Sequence, residues 1–359
     1  MDQPLNNENR IRIGISHGDI NGISYEVIIQ TLQDQRLFEN YTIILYGSSK
    51  VTSYYRKLMD INEVNFNTIK KAGQANPRRP NIINVIEEEV RIDMGSVTPI
   101  AGELAYKALE MAMTDLLHGD IDVLVTAPIS KKNIQSENFQ FPGHTEYLAA
   151  RCKVDDSLML MVNRDFRIGV VTGHIPLHKV SEAITTELIV RKIKILNESL
   201  KQDFGIFKPK IAVLALNPHA GDDGLIGDED QTIIKPAIDE AFANDILAFG
   251  PYPADGFLGT SNFKEFDGIL AMYHDQGMIP FKLLSFDEGV NFTAGLPIVR
   301  TSPAHGTAFD ITGKNEANPQ AFRNALFQGC DIFTNRLEYK KLLSNPLKTQ
   351  KQAKESQNE

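Results

Sequence analysis

The 359-residue chain has no tryptophan, only two cysteines and only eight histidines. Cys152 and Cys330 lie far apart and form no CxxC pair, which excludes a disulfide framework and a thiolate zinc site and fits a reducing compartment. No apolar run approaches the ~18 residues that a membrane span needs, and the polar first ten residues lack the basic and apolar regions of a secretory signal. A cytoplasmic protein with no membrane partner is the expectation. Basic residues number 37 against 46 acidic ones, a formal charge of −9, so the basic stripe that holds nucleic acid is missing. No GxGxxG follows the first apolar run and no Walker A sequence occurs, so any nucleotide must be held in another way. The glycine-bearing stretch Gly14–Gly22 matches neither pattern.

What is present is a regular alternation. Short β-rich runs at Ile11–Ser16, Tyr41–Tyr46, Ile121–Thr126, Phe166–Thr172, Lys210–Leu216 and Gly268–Met272 are separated by helical patterns such as Gly102–Leu117, Thr185–Lys201 and Asp228–Ala243. That order predicts an α/β fold with a parallel sheet covered on both faces. The length and the 42% hydrophobic content predict two lobes. A hinge near Pro128–Asn138 and a return near Arg300–Gly313 would make the first domain discontinuous, 1–130 plus 305–345, with a second domain over 131–304. Asn62–Met94 reads as a hairpin-type excursion or edge insertion, because Gly, Asn and Pro cluster at Ala72–Pro80. The polar, lysine-rich 346–359 reads as a disordered tail.

Three of the apolar runs end alike, at Thr172-Gly173-His174, Asn217-Pro218-His219 and Met272-Tyr273-His274. Imidazole is a common ligand of borderline metals, and spacings of 45 and 55 residues suit successive strand–helix units. Ligand sites of doubly wound sheets lie beyond the carboxyl ends of strands, so neighbouring strands would bring these histidines to one crevice. Three imidazoles with an open position would suit Zn²⁺ or a similar divalent ion in a catalytic arrangement. Each histidine alone reads equally as a loop residue. His144 precedes Thr145 at a helix start, where free N–H groups and the hydroxyl could receive a phosphate or carboxylate, unless Thr145 merely caps its own helix. Lys282, Asn291 and Arg300 follow at short intervals and could clamp an anion. Asp255 and Asp275 are candidates to fix an imidazole tautomer, although turn chemistry explains Asp255-Gly256 as well. By spacing alone the His305–Gly313 loop is turn-rich and could wrap an adenine or ribose.

The set PGHTE at Pro142–Glu146, TGHIPL at Thr172–Leu177, NPHAG at Asn217–Gly221, YHDQG at Tyr273–Gly277 and GVNFTAGLPIVRTSPAHGTAFDITG at Gly289–Gly313 resembles the PdxA family of 4-hydroxythreonine-4-phosphate dehydrogenases, over nearly the whole of Ile11 to Leu343. The resemblance implies two α/β domains like those of isocitrate and isopropylmalate dehydrogenases, with an active site in the cleft completed across a homodimer. It implies NAD or NADP and one divalent metal, zinc, magnesium or cobalt, held by His174, His219 and His274, the last from the partner subunit. His144, Thr145, Lys282, Asn291 and Arg300 match positions that bind the small phosphorylated hydroxy-amino acid. His305, Gly306, Thr307, Ala308, Asp310 and Gly313 match the nicotinamide-cofactor loop. The implied reaction oxidises 4-phosphohydroxy-L-threonine to a 3-oxo acid that loses CO₂, with the general base unassigned and Asp255 and Asp275 as candidates. Alternatives are a sister dehydrogenase of threonate or erythronate 4-phosphate and a metal-binding, non-catalytic relative. The chain departs from the family at Gly18-Asp19-Ile20-Asn21-Gly22-Ile23-Ser24-Tyr25-Glu26, where GDPAGIGPE is typical, and at Ala304, where aspartate is usual.

Overall fold

The computed structural model describes residues 10–164, 166–285 and 287–344. Twelve strands form one sheet: β1 (Ile11–Ser16), β2 (Tyr41–Gly47), β3 (Asn67–Ile69), β4 (Asn81–Asn84), β5 (Val123–Thr126), β6 (Leu158–Asn163), β7 (Phe166–Thr172), β8 (Lys210–Leu214), β9 (Leu247–Tyr252), β10 (Gly268–Tyr273), β11 (Val290–Ala294) and β12 (Arg300–Pro303). Their order is β3-β4-β2-β1-β5-β12-β11-β6-β7-β10-β8-β9. The flanks are parallel, and their strands are near-continuous apolar runs because helices cover both faces. At the centre β11 runs antiparallel to β12 and β6, and β6 antiparallel to β7. The α/β expectation holds.

All six expected strands are present, β1 and β7 with the same bounds. The helix Thr186–Gln202 begins where Thr185 accepts a hydrogen bond from the Leu188 amide, a side-chain cap visible in the sequence. Asp228–Ala243 is not one α-helix: a π turn, Asp230–Ile234, precedes the helix Lys235–Ala243. Pro236 removes one amide from the ladder there. The carboxylate of Asp230 is buried and turned outward from its helix to accept the amides of Leu216 and Asn217. The Asn62–Met94 segment is an edge insertion, but β3 and β4 pair parallel rather than as a hairpin. The buried Asn81 amide organises the connection by donating to the carbonyls of Ile43, Asn76 and Arg79 while its oxygen accepts from Asn67 and the Asn76 amide. The tail expected at 346–359 lies outside the described residues.

The chain leaves the β1–β5 flank after Thr126 and returns to it at β12, which pairs with β5 on one side and β11 on the other. Arg336, on the final helix Gln320–Ser344, fastens the two flanks. It donates to the buried Asp203 at 2.5 Å and to the carbonyls of Leu296 and Ile298.

His17, at the end of β1, is completely buried, and burial pulls its pKa down to about 4. Between that value and the ordinary 6.5 the unfolded chain binds a proton that the fold refuses. The stability contribution is therefore intact above pH 6.5 and is lost as pH falls towards 4, by roughly 3 kcal/mol in total. Urea midpoints measured from pH 7 to pH 4.5 should fall less steeply for His17→Gln than for the parent chain; equal slopes would exclude His17 as the source.

Candidate active site

The histidine-bearing strands β7, β10 and β8 are adjacent and parallel, with Thr172 opposite Tyr273 and Val213 opposite Leu270. His174 and His274 consequently leave the sheet side by side, their ring centroids 5.5 Å apart. His274 opens the helix His274–Ser285, and its Nδ1 lies 2.7 Å from Asp275 Oδ1. A carboxylate only accepts, so Nδ1 carries the hydrogen and the lone pair stays on Nε2. Lys131 Nζ stands 3.1 Å from His174 Nε2, while Glu146 Oε1 lies 3.5 Å from Nδ1. An ammonium only donates, so here too Nε2 keeps the lone pair. Carboxylates that fix imidazole tautomers in this way typically back metal-binding histidines.

His219 is placed differently. It is exposed on a left-handed turn in which His219, Ala220, Gly221, Asp222 and Asp223 all have positive φ. Four of these five are not glycine, a conformation that persists only when its surroundings impose it, and the Asp230 carboxylate anchors the segment leading in. Among the described residues no three His, Cys, Asp or Glu side chains gather as a metal site. The resemblance implied that the partner subunit supplies His274. Because β7 and β10 are neighbours, His274 lies beside His174 within one chain, and His219 stands apart from both.

A cavity of about 240 Å³ joins this pair to the expected anion-binding residues. Its walls include His144, Thr145, Lys282, Asn291, Arg300, His305 and Gly306, together with Lys131 and Glu146. The helix His144–Cys152 has Gly143 as N-cap with no side-chain cap, so Thr145 is not the cap and the first-turn amides remain available to an anion. Arg300 is 2% exposed on β12, where its Nε (3.0 Å) and Nη2 donate to the Thr126 hydroxyl at the end of β5. Burial pulls its pKa down to about 9, partly offset by Glu146. His144 is held well below the usual imidazole range, first by burial and then by the positive charges of Arg300 and Lys131, so it is neutral. Burial lowers His305 as well. Lys282 is exposed on the His274 helix at the cavity edge.

Five buried polar atoms on this cavity have no hydrogen-bond partner: His144 Nε2, Glu146 Oε2, Asn291 Oδ1, Arg300 Nη1 and His305 Nε2. An unsatisfied buried group costs about 1–3 kcal/mol, so five on the residues of one cavity are hydrogen-bonding capacity that the described side chains leave unused. Of the remaining cofactor-loop residues, Thr307 O accepts the Ile23 amide and the Gly313 amide donates to Glu26, while Asp310 is exposed and Ala308 has φ 42°. Asp255 is exposed in the short helix Ala254–Leu258. Sequence reasoning missed Lys131, Glu146 and Thr126. Glu146 sits inside the PGHTE motif and Lys131 inside the expected hinge, but only the folded chain shows what they touch.

Residues 39–328 match the sequence profile of the family described as pyridoxal phosphate biosynthetic protein PdxA. A 4-hydroxythreonine-4-phosphate dehydrogenase of Bacteroides thetaiotaomicron is 52% identical over 96% of this chain and 94% of its own. A relative from Oceanobacillus iheyensis, provisionally named D-threonate 4-phosphate dehydrogenase, is 36% identical over 89% of this chain and 97% of its own. The crystal structure of a 4-hydroxythreonine-4-phosphate dehydrogenase from Klebsiella pneumoniae superposes with a TM-score of 0.78 at 31% identity, covering 91% of this chain and 99% of that one. With its strand-end histidines in the fold of those proteins, the chain belongs to the PdxA family.

Proposed function

We propose that this chain oxidises 4-phosphohydroxy-L-threonine with NAD or NADP to 2-amino-3-oxo-4-(phosphooxy)butanoate, which loses CO₂ to give 3-amino-2-oxopropyl phosphate, a step of pyridoxal 5'-phosphate biosynthesis. The observation that carries this reading is the cluster of five unpartnered polar atoms in one cavity. Arg300 Nη1, Lys282 and the first-turn amides at Thr145 suit the phosphate and carboxylate of such a substrate. Neutral His144 donates through Nε2 without adding charge, and the Asn291 amide orients a hydroxyl. The unpartnered oxygen of Glu146 favours an ammonium at C2, which separates this substrate from threonate or erythronate 4-phosphate, where a hydroxyl stands instead. In the reaction the C3 carbon gives its hydride to the nicotinamide and its hydroxyl proton to a base. The bond to the carboxylate then breaks, CO₂ leaves and a proton is added at C2.

The donor set fits a divalent ion in part: His274 offers Nε2 with Asp275 on its Nδ1, whereas His174, with Glu146 near its Nδ1, would offer Nε2 only once the Lys131 ammonium, 3.1 Å away, moves off it. Such an ion would lower the pKa of the substrate hydroxyl and take up charge on the ketone during decarboxylation. The reading gives two of the three positions to the adjoining His174 and His274 of one chain and the third to His219 of the partner subunit. Each histidine segment carries a strongly exposed leucine, Leu177 (72%), Leu225 (82%) and Leu283 (81%), apolar surface that suits the interface of a homodimer. The β1–β5 flank with β12, and the β6–β11 flank, would form the two lobes around the cleft. No helix among the described residues is long and apolar enough to cross a membrane.

The test is direct. Purified protein with the phosphorylated hydroxythreonine, NAD⁺ and a divalent ion should form NADH, chelator should stop it, and added metal should restore it. Faster turnover of threonate 4-phosphate would favour the sister dehydrogenase, and no NADH with either substrate would leave a binding protein.

A further inference from the structure

The first loop departs from its family in sequence, yet it is the principal support of the expected cofactor loop. Residues 304–319 contain no helix or strand, a length at which irregular segments are uncommon unless functional. Three contacts from the first loop and the helix Ser24–Leu32 hold it. The Ile23 amide donates to Thr307 O at 3.0 Å. Gly22 lies so close that a Cβ there would meet Thr307 O at 2.6 Å. The Glu26 side chain, fully buried in the first turn of that helix, accepts the Gly313 amide at 2.8 Å. Gly313 has φ +81°, and a side chain at that position would also run into Met94, so this amide is aimed at Glu26 by a backbone that only glycine adopts readily.

The four positions that differ from the family, Ile20, Asn21, Ser24 and Tyr25, are turned to other tasks. Ile20 O accepts the Tyr55 hydroxyl, Asn21 bonds the Asp93–Thr98 segment, Ser24 donates to Pro128 O, and the Tyr25 hydroxyl accepts the Ser48 amide. The three supporting residues, Gly22, Ile23 and Glu26, are the ones left unchanged.

We propose that Glu26 is a positioning residue for the nicotinamide cofactor: its hydrogen bond to the Gly313 amide fixes the His305–Gly313 loop in its binding shape. This rests on that loop being the cofactor site. The atom that matters is the accepting oxygen rather than the charge, so Glu26→Gln retains the function and Glu26→Ala loses it. Calorimetric titration with NAD⁺ should show a Kd raised about tenfold or more in Glu26→Ala and within about twofold of the parent in Glu26→Gln. The KM for the phosphorylated substrate and the Tm should stay near parental values. Hydrogen exchange at Gly313, which needs no cofactor, should quicken in Glu26→Ala alone. Unchanged NAD⁺ affinity in Glu26→Ala despite faster exchange would overturn the proposal, and so would equal losses in both variants with a lowered Tm. If the parent chain binds no NAD⁺, the cofactor-loop reading fails and the proposal with it, whereas NAD⁺ binding without turnover would fault the reaction alone.

Discussion

Arg300→Met should lower kcat/KM at least about a thousandfold, roughly 4 kcal/mol, the scale of removing one partner of a buried, charged hydrogen bond. The same variant should unfold at a higher temperature than the parent chain in the absence of substrate. Arg300 is buried, and among the described residues no carboxylate is in ion-pair contact with it, Glu146 acting only from farther off; Thr126 engages two of its nitrogens and the third has no partner. Holding a cation there opposes folding, and an apolar side chain of similar length relieves that cost by an amount on the order of 1 kcal/mol, about 1 °C for a chain of this size. Arg300→Lys keeps the charge but loses the fork to Thr126, so it should fall between the two in activity. Kinetics and thermal melts of the three proteins decide the matter. A Met variant that is less stable and still active would show that Arg300 is a structural residue.

His174→Ala, His219→Ala and His274→Ala should each be inactive alone, and mixtures of them should not behave alike. Mixing His174→Ala with His219→Ala chains should restore activity towards about a quarter of the parent value. Random pairing makes half the dimers mixed, and each of these regains one of its two sites. Mixing His174→Ala with His274→Ala should restore none, because these two histidines adjoin in one chain, at 5.5 Å between rings. The opposite pattern, recovery with His274→Ala and none with His219→Ala, would mean that the sheet neighbours separate into different sites. Subunit exchange must be verified with tagged chains, and dissolved metal measured alongside activity.

The fold was largely legible before the structure. Apolar runs such as Ile121–Thr126 and Gly268–Met272 announce buried parallel strands, which span Val123–Thr126 and Gly268–Tyr273, and the helical pattern read from Thr185 begins one residue before the helix that Thr185 caps. Errors fell where a tertiary partner overrides a local pattern. Asp230 leaves its helical turn to hold the segment before His219, and Asn81 turns an apparent hairpin into a parallel crossover. Site residues were legible by type and by motif, since histidine, lysine and arginine next to strand ends are few in an acidic chain. Their partners were not: Lys131, 43 residues before His174 in sequence, and Thr126, 174 residues before Arg300, come into contact only through the sheet order.

The sequence alone determined the α/β class, the motifs of the PdxA family and the residue types available for chemistry, because hydrophobic periodicity and short motifs are local properties of the chain. The tertiary structure decided which of those residues meet. Strand order put His274 against His174 and left His219 apart, and burial made His144 neutral and left five polar atoms unpartnered on residues that line one cavity. Proximity and desolvation arise only when distant segments pack, so no local pattern records them.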